Sequence, residues 1–532
     1  MTAARKYFYN AILMTCAALV MRGVSVAFNV YVTGKLGADG MGLLTLVSSA
    51  YGFAVTFATS GISLAVTRMT AETVLTASGD VARKRLDYVM KTSVGYCLFF
   101  GIVAGAALFF GANFIGEILL ADARTVRCLR LLAFTLPPTA LTSALSGYFN
   151  ACRRVYKNAV SDFCGQVMKI MLTATLLSML MPSGIEYSLI AVVGGGAVAE
   201  AASFFLSFAL YLHDKHRHFS SRGDNVTASE SGHTELSADT ERLAARSLCG
   251  AALPVAMSSY LRSGLVTLEH ILIPHALRRS GQSYTAALAS YGTLHGMVMP
   301  VIMFPYAVIG PFSSLLVPEL SESRARGQSE RIRHIAKSVF RVTLLFAVGI
   351  SGIMIAFSRE LGLLLYDSEE AGRYIRLIAP VIPVMYLDTA VDSMLKGLGE
   401  QLFCMRVNIA DAALSVGLVW FLVPRCGVVG YAVTVIVCEV FNASLSIWRL
   451  LTVADVMPSL FSWVLRPVVA SVLSSSAIRF VIAYVPRLYR AEGVFSWSLF
   501  MVAAVALYIL VLAATNTVTG RDTAYIKRIF TG

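Results

Sequence analysis

The feature that most constrains this chain is the recurrence, from end to end, of apolar runs of about 20 residues, each able to cross a ~30 Å hydrocarbon core as a helix. A helix can cross because it satisfies its own backbone polar groups, which lipid cannot do. Residue usage agrees: of 532 residues, 57% are hydrophobic and 14% charged, against roughly a quarter charged in soluble domains. The deficit is spread along the whole chain, which excludes a single anchor on a soluble domain.

Two other classes are set aside on similar grounds. The formal charge of +13 would suit a nucleic-acid partner, but the basic residues stand in short loops between apolar runs, where membrane orientation accounts for them. The nine cysteines show no CxxC or Cys/His spacing, so neither a disulfide framework nor a metal site is expected. The first apolar run is interrupted by Arg22 and lacks a small-residue cleavage site, so it reads as a span and not as a cleavable signal.

Apolar stretches and polar punctuation predict spans near 8–33, 42–66, 88–115, 128–150, 158–181, 186–212, 247–273, 286–317, 338–358, 374–395, 404–424, 428–448, 459–485 and 495–516. The fold class expected is an all-α polytopic membrane protein with about fourteen transmembrane helices. One set of loops holds Arg83, Lys84, Arg85, Arg154, Lys157, Arg324, Arg326, Arg331 and Arg333, together with the Arg521–Arg528 tail. The alternate loops are poorer in Lys and Arg, so both termini are expected on the cytoplasmic side.

Residues 213–246, opening on HDKHRH, read as a flexible cytoplasmic linker between two halves. Its histidines suit a solvated basic loop better than a metal site. The halves are copies. Gly292 follows Gly42, Glu322 follows Glu72, Gly397 follows Gly147 and Asn408 follows Asn158, each by 250 positions, while Arg262 follows Arg22 by 240. Six spans and a linker return the chain to the same side, which makes the repeat parallel. The expected organisation is a six-helix lobe over 1–212, the linker 213–246, a second lobe over 247–452, and two unduplicated helices with a tail over 453–532.

Ionisable side chains inside apolar runs are candidate functional groups, because each costs at least about 2.5–3.5 kcal/mol near mid-membrane and therefore faces a cavity or a partner. Arg22 and its repeat mate Arg262 would make a cationic cavity, and guanidinium forks suit bidentate phosphate contacts. Alternatively each is neutralised within its own lobe, for which Glu269, two turns beyond Arg262, is available. Asp388 and Asp392 share one helical face and could relay protons, bind a cation, cap the arginines or simply pair. Asn158 with Asp162, and Asn408 with Asp411, offer oxygen ligands for a hard cation; capping of helix ends is the plainer role. Pro137, Pro138, Pro380 and Pro383 occupy corresponding spans and permit bending. Gly101 with Gly105 and the run Gly194–Gly196 point to close helix packing. There is no phosphate-binding GxxxxGK[ST] loop, Ser/His/Asp set or dinucleotide fingerprint, so an enzyme is not expected.

The pattern LGADGMGLLTLVSSAYGF…SGISLAVTRMTAE, its linker-joined second copy, and SALSGYFNACRRVYKNAVSDFCGQVMK resemble the stage V sporulation protein B family. That family lies within the multidrug/oligosaccharidyl-lipid/polysaccharide (MOP) exporter superfamily. The resemblance implies a V-shaped, two-lobed bundle with alternating access, acting in cell-envelope or spore-cortex synthesis on an undecaprenyl-pyrophosphate-linked saccharide such as lipid II. It implies Arg22 and Arg262 as pyrophosphate ligands; Glu269, Asp388 and Asp392 are, from the reading of the residues above, the candidate acids of the cavity or of coupling. It also implies Asn408 and Asp411 as a cation site one residue shorter in spacing than the family's, and a lipid-tail groove on the last two spans. Na+ or H+ would be the coupling ion, with no other cofactor; the partners would be membrane lipids and the lipid-linked saccharide, and the protein a monomer of the cytoplasmic membrane. A drug/cation antiporter of the same fold, or a non-transporting membrane scaffold, are the alternatives.

Overall fold

A computed structural model describes residues 3–515 except 60, 64, 68, 71–78, 153, 182–183, 221–237, 457–460 and 485–493. Glu72, residues 221–237 of the linker and the Arg521–Arg528 tail thus lie outside the described residues. The described residues form helices and turns with no strand. The protein is an all-α, multi-pass membrane protein. Large apolar side chains stand on its outer surface, Phe110 at 82%, Met179 at 69% and Trp420 at 63% exposure, a surface that lipid and not water would cover.

Among the described residues, ten helices are long and apolar enough to cross a membrane, or eleven counting one bent pair, against the fourteen spans expected. Part of the difference is geometric. The first helical run, α1 (Ala3–Thr59), has 57 residues, about 85 Å at 1.5 Å per residue and far beyond one hydrocarbon core. It breaks at Gly37, φ 73°, between the first two expected spans. A second run of 54 residues, Gln401–Ala454, breaks at Gly427, φ 58°, again between two expected spans. Both angles lie where a Cβ is strained and glycine is not.

Between these runs lie α2 (Gly79–Asn113), α3 (Arg124–Ala133), α4 (Leu136–Ala151), α5 (Val155–Leu180), α6 (Ile185–Ser220) and α7 (Ala238–Arg279). They are followed by α8 (Tyr284–Tyr291), α9 (Met299–Met303), α10 (Gly310–Ala325), α11 (Ser329–Ala356), α12 (Ser358–Tyr366), α13 (Glu369–Ile378) and α14 (Ile382–Gly397). The Gln401–Ala454 run is α15, and α16 (Arg466–Tyr484) and α17 (Val494–Ala514) close the chain. Residues Gly292–Val298, between α8 and α9, are wound as a π-helix.

The chain divides into two compact units, one of residues 1–42 with 272–532, the other of residues 43–271. The start of α1 therefore packs with second-half residues, and α7 up to Ile271 with first-half residues.

In the unit of 43–271, α2 meets α4 and the end of α3 through small residues: a Cβ on Gly101 would lie 2.9 Å from Pro137 Cα, and one on Gly105 2.9 Å from the Ala133 carbonyl. Gly195 sits equally close to Thr173, joining α6 to α5. The prolines occupy the first turn of α4, where the chain bends by 45° after α3; Pro383 stands likewise at the start of α14. Near the end of α6, Asp214 pairs with Arg154 and, at 2.5 Å, with Lys157, and the Lys157 and Asp214 side chains are buried.

In the other unit, repeat mates touch. A Cβ on Gly292 would fall 2.0 Å from the Ala38 carbonyl and 2.5 Å from the Gly42 nitrogen. The mates Gly147 and Gly397 make equivalent contacts in separate units, with Ser63 and Val66, and with Val317 and Leu320. The C-terminal pair packs on α11: Tyr508 and Ser471 fill the spaces over Gly349 and Gly352 and donate to the Leu345 and Val348 carbonyls. Arg479, expected inside a span, forks onto Glu360 with two bonds of 2.8 Å.

Candidate functional site

Three polar assemblies lie inside the helical units. The first surrounds Arg22, near the middle of the span expected over residues 8–33. Ser25, Val26 and Asn29 follow it on the same helix and, with His295, Met299, Pro300 and Met303, line a cavity of about 340 Å³. The opposite wall is α9 together with His295 of the π-helical stretch, a geometry that widens the helix and recurs at functional sites. His295 shares a 2.6 Å hydrogen bond with the Tyr431 hydroxyl. The Tyr366 hydroxyl stands 3.1 Å from Asn29 Oδ1 and 3.0 Å from the Met297 carbonyl, fixing Asn29. Arg22 is exposed to the cavity and within electrostatic reach of Tyr386. Among the described residues it makes no ion pair and no carboxylate lines the cavity. A guanidinium with no counter-charge beside an imidazole favours an anion.

The second assembly joins α14 to both arms of α15. Asp388 is within electrostatic reach of Asp392 and Asp411, and Glu439 of Asp388 and Asp411. Lys396 pairs with Asp392 at 3.5 Å. The Asn408 amide donates to the Cys404 carbonyl at 2.8 Å, and Asn442 donates to Asn408 Oδ1 at 3.5 Å. One carboxylate oxygen each of Asp388 and Asp392 is buried and accepts no hydrogen bond among the described residues. Four carboxylates around one lysine carry a negative excess, which favours protons or a cation. No three His, Cys, Asp or Glu side chains among the described residues are grouped closely enough to hold a metal ion.

The third assembly lies in the unit of 43–271. A cavity of about 350 Å³ is lined by Val55, Thr59, Thr139, Thr142, Ser143, Ser146, Asn158, Ser161, Asp162, Glu200, Ser203 and Ser207. Glu200 accepts from Tyr51 at 3.0 Å and Thr139 at 2.8 Å, tying α1, α4 and α6 together.

The structure thus gathers Asp388, Asp392, Asn408 and Asp411 and sets Arg22 in its own cavity in the same unit. Arg262 and Glu269 lie on α7 in the other unit, Arg262 exposed and Glu269 half-buried. The two stand on one helix, two turns apart. Span-by-span reading did not single out His295 and Asn29 as site residues, nor group Glu200 with Tyr51 and Thr139. A second repeat offset would have flagged part of this: Glu439, Asn442 and Ser446 follow Glu200, Ser203 and Ser207 by 239 positions each.

With this geometry in hand, the chain can be set beside known proteins. The polysaccharide biosynthesis protein family matches residues 8–234, and the MatE family residues 281–421. Stage V sporulation protein B of Bacillus subtilis (strain 168) is 24% identical over 459 residues, covering 86% of this chain and 85% of that protein. Sporulation protein YkvU of the same organism is 20% identical over 419 residues, covering 77% and 87%. Among solved structures, the lipid II flippase MurJ in an inward closed conformation superposes with a TM-score of 0.66 at 11% identity, covering 95% of this chain and 99% of that one. An inward-facing multidrug resistance MATE family transporter of the MOP superfamily gives 0.62 at 12% identity, covering 83% and 99%.

Proposed function

Starting from a membrane transporter of the MOP superfamily, flippase-like in its matches and fold, we propose that this chain translocates an undecaprenyl-pyrophosphate-linked saccharide, such as lipid II, across the cytoplasmic membrane by alternating access. The observation that carries this reading is Arg22: a cation inside an apolar helix, without a carboxylate in a cavity of about 340 Å³ and flanked by His295 and Asn29. A cation in such a place is tolerated when its role is to meet an anion, and pyrophosphate is the anion that a lipid-linked sugar carries. Arg262 is the second arginine of the reading. The acids Asp388, Asp392 and Asp411, with Asn408, serve coupling to Na+ or H+, and Glu269 assists on α7. The working form is a monomer with both termini inside.

The test is translocation of lipid II in proteoliposomes by wild type, Arg22→Ala and Arg262→Ala. A charge-assisted hydrogen bond contributes about 1.5–3 kcal/mol, so each alanine should slow transport roughly ten- to a hundredfold at limiting substrate. Equal rates in all three would overturn the arginine role, and no translocation by wild type would overturn the substrate. A drug/cation antiporter is the second reading, favoured by the four carboxylates of the α14–α15 assembly; proton-driven uptake of an organic cation with no lipid II transport would establish it.

A further inference from the structure

We propose that the hydroxyl-lined cavity in the unit of 43–271 is a saccharide subsite, which rests on the lipid-linked saccharide reading above. Eight of its lining side chains are Ser or Thr, Val55 is its one apolar member, and it holds no aromatic, Lys or Arg side chain among the described residues. Much of the hydroxyl hydrogen is already engaged. Thr59 and Thr142 donate to the carbonyls of Val55 and Pro138 at 2.8 and 2.9 Å, and the one Thr139 hydroxyl hydrogen is taken by either the Thr135 carbonyl or Glu200. Ser161, Ser203 and Ser207 bond among themselves at 2.7–3.0 Å. Ser143 and Ser146 keep hydroxyl hydrogens to give, and the rest of the wall offers lone pairs. To these Asp162 adds a carboxylate that is exposed to the cavity and makes no hydrogen bond among the described residues. Asn158 has its amide hydrogens on Ser146 and Asn150, which leaves its carbonyl oxygen.

A wall rich in acceptors fits a ligand rich in donors. Phosphate, all acceptor, is repelled. An acyl chain finds one apolar contact. Amphiphilic organic cations bind where apolar and aromatic surface dominates, and here it is absent. A bare ion is far smaller than a cavity of about 350 Å³. The hydroxyls of a neutral sugar match both the spacing and the polarity of such a wall.

The repeat supports the assignment. Thr139 and Asn158 recur 250 positions on as Thr389 and Asn408, but Pro138, Thr142 and Ser161 recur as Asp388, Asp392 and Asp411. At these three positions the second copy carries aspartates where the first carries a proline and two hydroxyls, so the first cluster has fewer acids, as expected if one serves ions and the other sugar.

The experiment measures binding to the full-length protein in nanodiscs of two ligands, undecaprenyl pyrophosphate and lipid II. Wild type should bind the saccharide-bearing lipid more tightly, by about ten- to a hundredfold for two or three neutral hydrogen bonds. Thr142→Val with Ser143→Ala, and separately Asp162→Asn, should bring that ratio close to one and leave the bare lipid's affinity unchanged. A ratio near one in wild type, or one unmoved by either variant, overturns the subsite. So does a variant whose only effect is on sodium dependence. Failure of the bare lipid to bind wild type strikes instead at the pyrophosphate reading, and the two failures are separately visible.

Discussion

The contact between repeat mates Gly42 and Gly292 allows a worked prediction. In Gly292→Ala the new methyl would stand 2.0 Å from the Ala38 carbonyl and 2.5 Å from the Gly42 nitrogen. Ordinary contacts of a Cβ begin beyond 3.0 Å. Both obstacles are backbone of α1, so no rotamer change relieves the clash, and the two segments must part by roughly 1 Å. Overpacking a well-packed core costs about 1–3 kcal/mol, and the rigidity of the obstacle places this substitution near 3 kcal/mol. Thermal unfolding of purified protein in detergent should show a fall on the order of 5 °C, taking about 2 °C per kcal/mol for a large chain. Gly34→Ala is the control: no atom lies within 4 Å of its new methyl, and alanine in a helix is favoured by about 0.5–1 kcal/mol over glycine. Gly42→Ala meets the Leu288 carbonyl at 2.3 Å, so the double variant with Gly292→Ala should lose less than the sum of the singles. A Gly292→Ala protein that melts with wild type, or with Gly34→Ala, would refute the packing.

Three further outcomes are expected. Asp214→Asn leaves Arg154 and the buried Lys157 without their counter-charge, which should cost about 3–5 kcal/mol in a detergent melt; adding Lys157→Met should recover part of the loss. Arg479→Gln strands Glu360 and removes the ion pair that ties α16 to α12, so the detergent melt should fall, and Glu360→Gln added to it should recover part of the loss. Asp388→Asn with Asp392→Asn should remove the dependence of transport on a Na+ or H+ gradient while the protein still folds, since two buried carboxylate oxygens with no hydrogen bond are neutralised; an unchanged gradient dependence would remove them from coupling.

Much of the architecture was legible in the string of residues. Hydropathy is additive along a helix, so the apolar spans follow from local composition, whereas the breaks at Gly37 and Gly427 show only in the backbone angles. The duplication is likewise a property of the string, read from landmarks 250 positions apart. So is the depth of Arg22, which counting residues to either end of its span reveals. What counting cannot supply is the face each helix turns inward and the partner it meets there. A charge deep in a span demands an accommodation without saying which one. Only packing decided that Arg22 lies beside His295 and Asn29 rather than a carboxylate, that Arg262 belongs to the other unit, and that Glu200 is held by Tyr51 and Thr139, residues 149 and 61 positions away. Helical periodicity is set within one turn of the chain, whereas a cavity is set by side chains from several helices whose mutual approach depends on small residues such as Gly101, Gly292 and Gly397.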